Sequence, residues 1–158
     1  MDVPNMKEKT LRYPGHIELM RVLRETGFFS EEIVKVGDQS IRPLDLTTSL
    51  LFPKWKLGPE EEEFTIMNVI VKGQEDQQNV EYKYELLDRY DPGTKTASMS
   101  RTTGYTCTAV TQLVLDGLYQ RKGISPPEFV GETVGCLPVI MKYLKQRGIH
   151  YHLKKTQF

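Results

Sequence analysis

The sequence predicts an α+β fold in which a mixed, largely antiparallel sheet carries helices on one face. Two observations point there: apolar residues recur at helical spacing near both ends, and two β-rich runs lie mid-chain around a short polar turn. A third excludes the main competitor. No Gly-x-Gly-x-x-Gly turn occurs anywhere, so the strand-to-helix phosphate cradle of a doubly wound parallel sheet is missing.

Taken in order, Thr10–Tyr13 reads as extended, because the residue before Pro14 is pushed out of the helical region. Ile17, Leu19, Met20, Val22 and Leu23 then predict a helix over His16–Thr26, with Gly27 as its stop. Ser30-Glu31-Glu32 reads as the cap and first turn of a short second helix. Arg42-Pro43-Leu44 opens a third, which Pro53 is expected to end. Gly58–Glu63 reads as a turn and an acidic run of solvated surface. Phe64–Val71, apolar on both faces, predicts a central strand, and Val80, Tyr82, Tyr84 and Leu86 alternate with charges as in a half-buried strand. The polar stretch Gly73–Asn79 joins them as a hairpin. Asp91-Pro92-Gly93 is a turn, Thr94–Arg101 reads as a third strand, and Tyr105–Tyr119 as a helix. A last helix from Pro138 to its stop at Gly148, then a strand over His150–Lys154, complete the chain.

The 158 residues fit one domain over 1–158, long enough for a true core. Lys plus Arg (21) balance Asp plus Glu (21), which argues against nucleic acid as a partner. Cys107 and Cys136 stand alone and only three His occur, so neither a metal site nor a disulfide framework is expected. No run approaches the roughly 18 apolar residues of a membrane span, and the first residues carry no apolar signal core. A cytoplasmic protein is the expectation.

Two segments carry candidate chemistry. Arg12 ends an extended piece just before the chain turns into a helix, where a planar guanidinium and the helix-start amides suit a carboxylate; the alternative is a surface arginine paired with Glu8 or Glu18. His16, beside the helix start, is a proton-transfer group, a substrate donor or, more simply, a cap. Ser100-Arg101-Thr102-Thr103-Gly104 gathers hydroxyls and a cation at an expected strand-to-helix junction, able to take an anion or simply to cap the helix.

These segments resemble the saccharopine dehydrogenase family. Thr10-Leu11-Arg12-Tyr13-Pro14-Gly15-His16, with Glu18, Met20, Leu23 and Gly27-Phe28, is similar to the family's strand-into-helix segment of the substrate domain. Ser100–Tyr105, Leu113–Gly117, Gly123–Glu128 and Arg147-Gly148-Ile149 resemble its closing region in the same order. The resemblance implies a substrate-binding, dimer-forming C-terminal domain like that of glyceraldehyde-3-phosphate dehydrogenase, here without the N-terminal Rossmann domain. It implies an oxidoreductase acting on the CH–NH group of an amino acid, saccharopine or lysine, or a carboxylated polyamine, with NAD or NADP bound mainly by the missing half. The chain alone is then expected to be inactive, and to form a homodimer. By the same resemblance Arg12, Tyr13 and His16 contact the small-molecule substrate, and Arg101, Thr102, Thr103 and Gly104 the cofactor. The competing expectation is a stand-alone amino-acid-binding or dimerisation module without redox activity.

Overall fold

The computed structural model describes residues 3–58 and 61–158. The chain divides into two compact units, residues 1–58 and 59–158.

In the first unit, Gly15 enters α1 (His16–Glu25) with φ 88°. Gly27, at φ 85°, closes that helix: its N–H donates to Arg24 C=O and Phe28 N–H reaches back to Leu23 C=O. That double bond needs a left-handed residue, which glycine adopts without a Cβ penalty. The second helix expected at Ser30 does not form. Ser30 Oγ instead accepts Glu32 N–H at 3.1 Å, and the chain runs into a hairpin of β1 (Val34–Val36) and β2 (Gln39–Ile41). Branched Val34 and Val36 favour the extended chain, and Gly37 supplies the positive φ of the two-residue turn. Next, α2 (Pro43–Trp55) starts at Pro43 and continues two residues past Pro53, because a proline in the final turn breaks only one helical bond. Thr47 ties the unit together: it is buried, and its hydroxyl donates to Phe28 C=O at 2.8 Å.

The second unit is built on one antiparallel sheet, order β3-β4-β5, from β3 (Phe64–Glu75), β4 (Gln78–Arg89) and β5 (Tyr151–Gln157). The hairpin is longer than its polar residues suggested; it turns on Asp76 and Gln77 alone, both at positive φ. Two expectations are corrected. The sheet is wholly antiparallel among the described residues rather than mixed, and Phe64–Val71 lies on its edge, with β4 in the centre. Of the turn expected over Gly58–Glu63, residues 59 and 60 lie outside the described residues.

The third expected strand is also corrected. Residues 98–101 open α3 (Ser98–Leu115), so the helix begins seven residues before Tyr105. Two distant groups decide this: Met99 N–H donates to the Glu63 carboxylate at 3.1 Å, and buried Ser98 shares a 3.0 Å hydroxyl bond with Thr65. A carboxylate on a helix-start amide favours helix through both the bond and the dipole. After α4 (Pro127–Glu132), α5 (Cys136–Lys145) closes at Gly148 by the double bond seen at Gly27. Leu113, Tyr119, Val130 and Cys136 form one buried cluster among α3, α4 and α5. Leu86, Leu144 and Ile149, with Tyr105 and Tyr151, form another where α3 and α5 meet the sheet, and Ile140 packs on both. No described helix is long and apolar enough to cross a membrane.

Candidate functional site

The two candidate segments fall in different units, and each is described by itself. In the first unit, Arg12 and Tyr13 are exposed on the turn leading into α1. The Arg12 guanidinium donates to its neighbour's Leu11 C=O at 3.1 Å, and no ion pair with Glu8 or Glu18 forms. Its remaining donors have no partner among the described residues. His16 N–H donates to Tyr13 C=O at 3.2 Å, which folds the turn, and Leu19 N–H reaches Gly15 C=O. No side chain caps this helix start. The cap reading of His16 is therefore unsupported: its half-buried imidazole stands beside the indole of Trp55, ring centroids 6.3 Å apart and tilted by 50°. Trp55 was not legible as a site residue; it is the chain's lone tryptophan at the end of a helix, and no spacing rule pairs it with residue 16.

The first unit thus offers an exposed, uncommitted guanidinium next to uncapped helix-start amides. This arrangement suits a carboxylate, held by a planar fork in the positive field of the helix N-terminus. Charge-assisted bonds of this kind contribute about 1.5–3 kcal/mol each.

Arg101 in the second unit has a different setting. Its side chain is only 11 % exposed and donates to Asp91 Oδ2 at 2.9 Å, Asp88 Oδ1 at 3.4 Å and Arg147 C=O at 3.2 Å. The groups that hold it come from the end of β4, the turn after it and the end of α5. Gly148 Cα sits so close that an added Cβ would lie 3.4 Å from the guanidinium. The Thr94 side-chain hydrogen bond, against an opposing burial cost, holds the Asp91 carboxyl below its ordinary value, with help from the Gly93 and Thr94 N–H groups and the Arg101 charge. Burial pushes the Tyr151 phenol up, and the Asp88 charge adds to it. Thr102 donates its hydroxyl back to Ser98 C=O at 2.9 Å, a bond within the helix. Thr103 and Gly104 face solvent, and a Cβ at Gly104 would meet nothing within 4 Å. Since α3 starts at Ser98, residues 100–104 belong to its first two turns and not to a junction, and one of its helix-start amides, that of Met99, is already taken by Glu63.

Against this geometry, the model of the saccharopine dehydrogenase C-terminal domain family matches residues 1–149, nearly the whole chain. The chain belongs to that family, and so to the setting of oxidoreductases of amino-acid metabolism.

Proposed function

We propose that this chain is the amino-acid-binding part of an NAD(P)-dependent oxidoreductase acting on the CH–NH group of saccharopine or lysine, with Arg12 taking a substrate carboxylate. The single observation that carries the reading is the state of Arg12: exposed and, among the described residues, bound only to its neighbour's carbonyl and without an acidic partner. The uncapped start of α1 adds donors of the same sign of field. Tyr13, on the same turn, and His16, against Trp55, would flank the substrate.

The nicotinamide supplies or accepts the hydride when bound. Arg101, Thr102, Thr103 and Gly104 would lie on the cofactor side, with Thr103 and Gly104 exposed on the first turns of α3 and the Arg101 guanidinium held by Asp88 and Asp91. The residues around Arg12 would bind and orient the amino acid.

The test is Arg12→Ala in the dehydrogenase that carries this domain. Loss of one charge-assisted contact raises KM for the amino acid about 10- to 100-fold, with little change in KM for the nicotinamide. An unchanged amino-acid KM would remove Arg12 from the site.

A further inference from the structure

A cleft of about 380 Å³ lies between α5 and the start of β5. Lys142 and Lys145 of α5 line it with His150 and His152, together with Ile149 and Tyr151. From Cys136 to Phe158 the sequence holds Lys142, Lys145, Arg147, Lys154 and Lys155 and neither Asp nor Glu, although the chain as a whole is balanced. Two of these cations are occupied: Lys155 pairs with Glu75, and the Arg147 guanidinium lies 3.3 Å from the centre of the Tyr143 ring. Lys142 and Lys145 have no acidic partner among the described residues. The carboxylate in register with His152, that of Glu85, is held by Lys83 at 2.7 Å.

The same cleft meets an open sheet edge. β5 is an outer strand, and Phe158 N–H donates to Asn79 C=O one step beyond the Val80↔Gln157 pair. Hydrogen-bonded and non-bonded pairs alternate along an antiparallel ladder. The even residues of β5 therefore bond to β4, while Tyr151, Leu153 and Lys155 direct their N–H and C=O groups outward. Those of Tyr151 and Leu153 have no partner among the described residues. A row of alternating donors and acceptors is matched by another extended backbone, whereas a small anion answers the donors alone. Side chains along the edge are sorted by face. Tyr151 is in register with Leu86, so Tyr151 and half-exposed Leu153 share the apolar face of Leu86, and His152 and Lys154 share the opposite one.

We propose that the open edge of β5 takes an extended acidic segment of another protein, which adds a strand to the sheet. Its apolar side chains alternate beside Tyr151 and Leu153, and its carboxylates meet the cations of the cleft and of the opposite face. Main-chain bonds supply affinity in this mode, and charge selects the partner. A second copy of this chain is not the occupant. His150, His152, Lys154 and Lys155 follow one another with no acidic residue among them, so self-pairing of this edge opposes like charges. The proposal is independent of the Arg12 reading and stands or falls separately.

The test titrates the whole chain with a short fluorescent peptide of alternating Glu and Val, read by anisotropy. The peptide binds, more weakly as salt is raised, and the Tyr151 and Leu153 amides gain protection from hydrogen exchange. Replacing its Glu by Gln weakens binding roughly tenfold or more, and so does Lys142→Glu with Lys145→Glu in the chain. N-methylation of one alternate set of peptide residues abolishes binding and of the other set is tolerated, because only one set bonds to β5. Leu153→Pro removes an outward N–H, a position where an edge strand accepts proline, and weakens binding while far-UV circular dichroism stays unchanged. The peptide arms decide the matter even where that variant does not fold. Absence of binding up to millimolar peptide would overturn the proposal. So would affinity indifferent to both N-methylated sets, affinity indifferent to the lysine reversals, or an oligonucleotide of matching charge that binds as tightly as the peptide.

Discussion

Residues 1–58 and 59–158 differ in where their apolar side chains go. Each buried hydrophobic residue among those described, from Val80 to Ile149, lies in the second unit, whereas the buried residue of the first is Thr47. In the first, Ile17, Leu19, Val22, Leu50 and Phe52 are all more than half exposed, and α1 buries none of its residues. The second unit is thus held by packing of its own side chains, the first by local devices: a glycine-closed helix, a tight hairpin and one hydroxyl bond. A charge set in the packed unit becomes part of the scaffold, as Arg101 has; a charge on the loosely tied unit stays available, as Arg12 does.

The comparison breaks most readily at Arg101. Arg101→Ala leaves Asp88, 5 % exposed, buried without its partner, and removing one member of such a pair costs about 3–5 kcal/mol. Urea unfolding should show that loss, and Asp88→Asn in the same chain should recover part of it. If Arg101→Ala unfolds like wild type, the buried network is not structural.

Packing itself is tested by two leucines. Leu113, 1 % exposed between α3, α4 and α5, should cost about 2–5 kcal/mol on change to alanine. Leu19→Ala on exposed α1 should stay within about 0.5 kcal/mol. Equal losses at both positions would erase the distinction between the units. A smaller effect sharpens it: Thr47→Val deletes the hydroxyl bond to Phe28 C=O and should cost about 1 kcal/mol, with faster amide exchange at the end of α1 and in α2.

The smallest effect is set by pH. The Asp91 carboxyl is held below its ordinary 3.8, first by Thr94, so its contribution is complete above that value and is lost as the pH falls through the lowered one. Stability between pH 4 and lower pH should therefore decline less steeply in Asp91→Asn than in wild type. Identical acid limbs would mean that the turn around Asp91 is not linked to folding.

Much of the second unit was legible because its signals are local. The apolar alternation of Val80–Leu86 and the glycine stop at Gly148 follow from neighbours in sequence. The start of α3 was not, because Glu63 and Thr65, more than thirty residues upstream, decide it. The edge position of β3 escaped for a related reason: an apolar run on both faces reads as central, and here Ile70 is half exposed on an edge strand. At the candidate site, residue type alone favoured a plain surface arginine at position 12, and only the family resemblance singled it out. The committed state of Arg101 was not, since its partners Asp88, Asp91 and Arg147 are joined only by the tertiary fold.

The central claim is that two arginines marked by the same sequence reasoning do opposite work, and one paired measurement tests it: thermal unfolding, and the amino-acid KM of the dehydrogenase proposed to carry this domain, for Arg12→Ala and Arg101→Ala. The account predicts that Arg12→Ala keeps the wild-type Tm and raises KM, while Arg101→Ala lowers Tm by several degrees and, where still folded, keeps the amino-acid KM. An Arg12→Ala enzyme with normal KM and lowered Tm, or an Arg101→Ala enzyme with the reverse, would contradict it.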